Sequence, residues 1–455
     1  MSVNNTIEGG HVAVIAFPFT SHVGPLLGLV KRLAAEAPEV MFSFFATHRS
    51  NKANFSDEEF LHNIRPFDVE DGLPEGFIPK GHPQEPVELF LKATPNNFKK
   101  SIEVAVSEIG REVTCVLSDA FLWICGKMAE EKGVPWIALI TGGPFALTAH
   151  LYTDVIRQTF ADKSLEECEE EPLKFIPGLS SVLVKDLPEG ILSGNLESEF
   201  PKMLHNMSRM LPKATAVCVN SFEEIDPTVT NVLKSNFKKF LCVGPLSLTM
   251  SSQPASDEYD CLPWLDKYKP ASVVYISFGS VIPLPPSEVI PLTEALEESG
   301  FPFLWSVRGN TKELIPKGFL ERTAERGKIV PWTPQTQVLA HESVGAFVTH
   351  SGWKSICESI AGGVPMICRP FFGDQALNTR IVEDVWGIGF GIKSGAIAKY
   401  EMLSVLERTL VGEEGKKRRN KIGKLKGLAE MAVESGGSST ENFKTLLEIV
   451  TSVNI

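Results

Sequence analysis

Residues 344–362 read VGAFVTHSGWKSICESIAG, and this stretch decides the fold. Val344 to Thr349 is a short, β-branched apolar run followed by turn formers, so it reads as a buried strand. His350-Ser351-Gly352 is a turn, and from Trp353 onward the chain reads as a helix. Strand, tight turn and helix in that order make half of a parallel α/β unit. The turn aims free backbone N–H groups outward, Gly352 permits close approach, His350 and Ser355 donate hydrogen bonds, and Lys354 adds charge. A diphosphate suits such a turn. Glu358 lies one helical turn past Ser355, where its carboxylate could accept two ribose hydroxyls. Upstream, Trp332 offers a flat face for a base, with Gln335 close by. Downstream, RPFFGDQ (369–375) ends in Asp374 and Gln375, whose acceptor and mixed donor–acceptor side chains suit sugar hydroxyls. Any one of these residues alone is more often core or connection than site. Their order along one segment carries the reading.

Working outward, apolar strand-like runs alternate with helical stretches. One set comprises HVAVIAFPF from His11, VMFSFFAT from Val40, TCVLSDAF from Thr114, PWIALIT from Pro135, ATAVCVNSF from Ala214 and Phe240 to Leu246. A polar, turn-rich stretch, LTMSSQPASDEYD, follows. A second set comprises SVVYISFGS from Ser272, FPFLWSVR from Phe301, GKIVPW from Gly327, the run at Val344, and VPMICRP from Val364. Near-continuous apolar strands separated by helices predict parallel sheets covered on both faces. The fold class is therefore α/β, with two doubly wound, Rossmann-like parallel-sheet domains facing across a cleft. The expected division is 1–246, a linker at 247–260, a second domain at 261–435, and a terminal segment at 436–455. In that last segment SGGSSTENFKTLLEIV is a helix, with Ser439 or Thr440 as its expected cap.

Length and composition fit this picture. The chain has 455 residues, enough for two cores, and is 43% hydrophobic and 22% charged. A net charge of −12 argues against nucleic acid or an anionic membrane as partner. The basic stretch from Lys416 to Lys426 then reads as a solvated helix face. No run of about 18 apolar residues occurs, so a cytoplasmic, non-membrane protein is expected; its expected partners are small-molecule substrates, and the expected state is a monomer. Eight scattered cysteines read as reduced and structural. Neither an Asp-x-Asp pair nor a His-x-x-x-His or Cys-x-x-Cys spacing is present, so no metal and no separate cofactor is expected. The first strand lacks a following G-x-G-x-x-G, which argues against a dehydrogenase.

A nucleotide-sugar site needs a base for the incoming nucleophile. His22, in FPFTSHVGPLL, falls in the expected loop at the carboxyl end of the first strand, and Asp119, in VLSDAF, falls at the end of another strand of that sheet. An aspartate on the far imidazole nitrogen fixes the tautomer and stabilises the imidazolium. Ser280, the last residue of SVVYISFGS, is a further donor for a diphosphate. His150 lies on an expected helix and Gln84 in GHPQEPVELF; alone, each reads as a solvated or capping residue.

The segment from Trp332 to Gln375 resembles the signature box of the plant secondary-product glycosyltransferases. FPFTSH, DGLPEGF, QEPVELFLKA, SGNL, RPFFGDQ and GGSSTENFKTLL make the chain most similar to the flavonoid and anthocyanidin 3-O-glucosyltransferases. The resemblance covers essentially the whole chain. It implies a GT-B arrangement in which the last helix crosses back to the first domain, and inverting transfer of glucose from UDP-glucose, a co-substrate, to the 3-hydroxyl of a flavonol or anthocyanidin. His22 is implied as general base and Asp119 as its relay. Trp332, Thr333, Gln335, Glu358, His350, Trp353, Lys354 and Ser355 are implied for UDP, with Thr141, Asp374 and Gln375 on the sugar. Gln84, Phe121, His150, Phe200, Phe372 and Gly373 are implied, beside His22, to line the acceptor pocket. Gln375 is the variant associated with glucose. Three departures stand out. Lys354 replaces the usual Asn, LITGGPF lacks the usual tryptophan before Thr141, and LWICGK after Phe121 is atypical. They leave open another phenol, an aromatic carbon or another UDP-sugar, and, in a different class, a non-catalytic ligand-binding homologue whose donor site Lys354 weakens.

Overall fold

The apolar runs form strands because helices cover both of their faces. In β1 (His11–Ile15), β4 (Cys115–Asp119), β5 (Trp136–Ile140) and β6 (Ala216–Val219) every residue is buried. With β2 (Met41–Thr47), β3 (Ile64–Val69) and β7 (Phe240–Cys242) they make a seven-stranded sheet in the order β3-β2-β1-β4-β5-β6-β7. A six-stranded sheet follows, in the order β10-β9-β8-β11-β12-β13. It is built from β8 (Val273–Ser277), β9 (Phe303–Ser306), β10 (Gly327–Val330), β11 (Val344–Thr349), β12 (Met366–Cys368) and β13 (Gly389–Gly391). The pairings at both centres are parallel, with Val14 opposite Phe44 on one side and Leu117 on the other, and Phe347 opposite Tyr275 and Met366. The structure is a computed structural model describing residues 9–55, 61–74, 76–77, 85–249, 256–279 and 281–452.

Each sheet reverses its strand order once, between β1 and β4 in the first and between β8 and β11 in the second. At such a point the helices leave to opposite faces and open a crevice at the carboxyl ends of the strands, where ligands bind. Two strands were absent from the sequence reading. β3, IRPFDV, is a half-exposed edge strand containing Pro66, and β13, GFG, is three residues long with two glycines. Neither has the continuous β-branched character that marks a central strand.

The helix Ser438–Thr451 packs on the first sheet. Phe443, Leu446, Ile449 and Val450 share one buried cluster with Val12 and Val14 of β1 and with Leu26, Leu29 and Leu33 of the helix Thr20–Glu36. The expected Ser439 or Thr440 cap does not form. The N-cap is Gly437, while the Ser439 hydroxyl donates to the Gly244 carbonyl at 2.6 Å and that of Thr440 to the Val433 carbonyl at 2.9 Å. These bonds tie the helix to neighbouring segments instead of to its own first turn.

The basic stretch lies in the helix Glu413–Val433, with Lys416, Lys417, Lys421 and Lys424 exposed. Its arginines differ from a solvated face. Arg418 lies 3.5 Å over the Phe390 ring and donates to the Gly389 carbonyl, and Arg419 donates to the carbonyls of Thr409 and Leu410. All eight cysteines are free and buried, and burial pushes thiols such as Cys115 and Cys125 up to about 12. Among the described residues no helix is long and apolar enough to cross a membrane.

Leu446 is fully buried in the contact between the last helix and the first sheet. Leu446→Ala is expected to cost about 2–5 kcal/mol of unfolding free energy, read as a lower urea midpoint. An unchanged midpoint would mean that the helix adds nothing to the first domain.

Candidate active site

The first switch point brings His22 and Asp119 together. β1 ends at Ile15, and the chain turns through Phe17 and Phe19 into the helix Thr20–Glu36. His22 therefore sits in the first helical turn, not in a loop as its spacing suggested, with its backbone N–H on the Phe19 carbonyl. The Asp119 side chain at the end of β4 is only 1% exposed. Its Oδ2 lies 2.8 Å from His22 Nδ1, and its Oδ1 accepts the Phe121 backbone N–H at 2.9 Å. A carboxylate only accepts, so Nδ1 carries the proton and the lone pair is left on Nε2, as a base requires. Thr141, just past β5, brings its hydroxyl to 3.0 Å from the same Nδ1. Thr141, implied by the resemblance to meet the sugar, is thus in direct contact with the histidine. Phe17 and Phe121 flank the His22 ring at centroid distances of 5.0 and 4.7 Å, and Phe200 lies 6.0 Å from Phe121. His150 is not solvated. It is buried on the helix Pro144–Leu151.

The second switch point gathers the residues expected around a nucleotide. β11 ends at Thr349, Ser351 holds a positive φ of 65°, and Gly352 caps the helix Trp353–Gly362. The His350 ring lies between Gly279 and Gly352, where any added Cβ would come within 2.8 and 2.4 Å of it, and its Nδ1 is buried without a partner among the described residues. Glu358 is nearly buried and already engaged. Gln335 Nε2 donates to it at 2.7 Å and Thr336 at 3.0 Å, and Lys354 Nζ stands 3.7 Å away. Gln335 also donates to Ser355, and the Tyr275 hydroxyl joins Gln335 to Thr333. Trp332 is 48% exposed, with the Arg308 guanidinium 4.6 Å over its ring. Arg308, Thr336 and Tyr275 were not singled out from sequence. The position of Arg308 just past the carboxyl end of β9 was a usable signal, whereas the mid-strand Tyr275 gave none.

The loop carrying Asp374 and Gln375 is anchored by a buried ion pair. Arg369 donates to Glu288 through Nε at 2.9 Å and through a second nitrogen, Glu288 also accepts the Ile397 N–H, and the Arg369 guanidinium lies over Phe371. The Gln375 side-chain amide oxygen accepts the N–H groups of Phe371 and Phe372, which directs its NH2 group away from that loop. Phe372 is exposed. Asp374 is the N-cap residue of the helix Gln375–Arg380, but its side chain makes no capping hydrogen bond. A Cβ on Gly142 would stand 3.3 Å from its Oδ2, which is buried and unpartnered among the described residues, and burial pushes this carboxyl above its usual range. Gly373, at a φ of 65°, faces open space, whereas Asp374 lies at the seam between the domains. Trp353 lies there too, but its indole is consumed. Nε1 donates to the Asn220 carbonyl at 2.8 Å, so only its backbone faces the turn. Gln84 and Ser280 lie outside the described residues. No cluster of three or more potential metal ligands occurs among the described residues. An open groove of about 750 Å³ near His48, Arg65 and Asp68, at the β3 edge, contains none of these site residues.

Two doubly wound parallel sheets with facing switch points, one carrying a histidine–aspartate pair and the other a nucleotide-shaped turn, define a GT-B glycosyltransferase. Residues 252–426 match the family profile described as UDP-glucoronosyl and UDP-glucosyl transferase. The chain is 52% identical to an anthocyanidin 3-O-galactosyltransferase of Actinidia chinensis var. chinensis, over 100% of both chains. It is 53% identical to an anthocyanidin 3-O-glucosyltransferase of Fragaria ananassa, over 97% of this chain and 98% of that one. A solved UDP-glucose:anthocyanidin 3-O-glucosyltransferase in complex with UDP superposes with a TM-score of 0.92 at 42% identity, over 97% of this chain and 99% of that one. The chain belongs to the UDP-glycosyltransferase family.

Burial lowers the imidazoles of His150 and His350 from 6.5 to about 4. Unfolded, both would take up protons that the folded chain refuses, so stability falls as pH drops from about 6.5 towards about 4. The urea midpoint is expected to be lower at about pH 5 than at about pH 7, and His150→Gln to flatten that difference. Equal midpoints at both pH values would show that the folded rings protonate freely.

Proposed function

We propose that this enzyme transfers glucose from UDP-glucose to the 3-hydroxyl of a flavonoid, a flavonol or anthocyanidin, inverting the anomeric carbon. The observation that carries this reading is the 2.8 Å contact of His22 Nδ1 with buried Asp119, across the domain seam from the turn at His350–Ser355. Full-length relatives named for this activity, including the flavonol 3-O-glucosyltransferase of Arabidopsis thaliana at 50% identity, support the choice of acceptor.

In the proposed step the acceptor hydroxyl donates its proton to His22 Nε2 while its oxygen bonds to the anomeric carbon. The bond from that carbon to the diphosphate oxygen breaks, and its electron pair leaves with UDP. Asp119 holds the tautomer and stabilises the imidazolium. Backbone N–H groups at the helix start, with His350, Lys354 and Ser355, meet the charge on the diphosphate, so the step as written uses no metal ion. Glu358 exchanges its internal donors for ribose hydroxyls, and uracil stacks on Trp332. Asp374 and the Gln375 NH2 group take the sugar hydroxyls. The rings of Phe17, Phe121 and Phe200 form an apolar wall suited to a flat polyphenol. Relatives include galactosyl- as well as glucosyltransferases, so the choice of glucose rests on Gln375.

His22→Ala is expected to lower kcat by about 10²–10⁴-fold while UDP still binds. The assay is turnover of quercetin, kaempferol and cyanidin with UDP-glucose and UDP-galactose, with products identified by mass and NMR. Full activity in the variant, or a glycoside at another position, would refute the proposed base or regiochemistry respectively. Lys354→Asn is expected to lower the apparent KM for UDP-glucose, because the amide can both donate and accept at the helix start. A raised KM would make the lysine a net ligand of the intact donor.

A further inference from the structure

We infer that Lys354 is a ligand of the departing diphosphate: it leaves Glu358 when nucleotide binds and makes the enzyme hold UDP more tightly than UDP-glucose. This rests on the donor site proposed above. Lys354 stands 3.7 Å from Glu358 with its own side chain 62% exposed, so the contact is loose on one side. Glu358 does not depend on it, since Gln335 and Thr336 already donate to that carboxylate at 2.7 and 3.0 Å. Lys354 is the second residue of the helix that Gly352 caps. There a cation opposes the helix dipole, a cost that a bound anion removes.

The neighbouring groups supply hydrogen bonds rather than charge. Burial lowers His350 to about 4, so it is neutral near pH 7, and its buried Nδ1 has no partner among the described residues. Formal positive charge at this turn therefore comes from Lys354. Ribose hydroxyls on Glu358 are neutral and take the place that Lys354 borders, which frees a flexible four-carbon stem to swing towards the phosphates. Lysine acts there as a point charge and reads charge more than shape. In a sugar diphosphate both phosphoryl groups are esterified or bridged. On release, the terminal phosphoryl exposes an oxygen that loses its proton with a pKa of about 6, adding close to one further negative charge at neutral pH. The lysine gains from exactly that charge, so it favours product over substrate.

The test is calorimetric titration of the full-length protein with UDP and with UDP-glucose, for wild type, Lys354→Met and Lys354→Arg. Wild type is expected to bind UDP about ten-fold more tightly than UDP-glucose. Lys354→Met should lose about five- to ten-fold in UDP affinity and no more than about two-fold for UDP-glucose, while Lys354→Arg keeps the preference. Equal losses for the two ligands would overturn the inference, because the lysine would then bind any diphosphate alike. Unchanged UDP affinity in Lys354→Met would overturn it too, leaving the lysine as a partner of Glu358 alone. A wild-type protein that binds neither nucleotide would overturn this inference together with the proposed function, whereas UDP binding without sugar transfer would count only against the latter.

Discussion

The indole of Trp353 is the contact on which the rest of the site depends. It begins the helix after β11, in the second domain, yet its N–H is given to the Asn220 carbonyl just past β6 of the first. The same carbonyl accepts Cys357, and the Asn220 side chain accepts the Leu246 N–H where the chain leaves the first domain. Gly143 makes the approach possible, since a Cβ there would stand 2.5 Å from the indole. Trp386 and Phe145 complete the aromatic seam, with ring centroids 5.6 Å apart. An unpaired indole N–H at this depth would cost about 1–3 kcal/mol, so the hydrogen bond helps to fix one relative position of the two domains.

That fixed position sets the two switch points opposite each other. A second tie lies farther out, where Arg380 donates to Asp186 at 2.7 Å, and Leu377 and Ile381, from beyond β12, are buried in the first domain's cluster. The short helix from Gln375 to Arg380 thus carries Gln375 at one end and an interdomain ion pair at the other. Inside the site, polar groups satisfy one another: Tyr275 with Thr333 and Gln335, Gln335 with Glu358. Such a network is largely preorganised, with no bare charge left to desolvate.

Much of this architecture was legible in the chain. Runs such as VGAFVT and SVVYIS are apolar without alternation because both faces of their sheets are covered, and that alone indicates parallel α/β order. The proximity of His22 to Asp119 was legible from their common position at strand ends. Less legible were the elements whose local sequence conflicts with their environment. β13 is held by its neighbour despite two glycines, β3 is an edge strand with a proline, and Ser439 bonds across to Gly244 instead of capping its own helix. Side-chain allegiance was also hidden. Nothing local to Trp353 tells that its indole faces another domain, and nothing near Thr141 tells that its hydroxyl reaches His22, 119 residues away in sequence.

The helix Ser438–Thr451 has a consequence for the order of events in synthesis. Its buried face, with Phe443, Leu446 and Val450, covers apolar residues of β1 and of the helix Thr20–Glu36, which leave the ribosome more than four hundred residues earlier. The first domain is therefore made with one apolar strip uncovered, and that strip must wait until the entire second domain has emerged. Chain elongation at about 5–20 residues per second makes that wait on the order of tens of seconds. During it the first domain is the vulnerable one, although it contains the larger sheet.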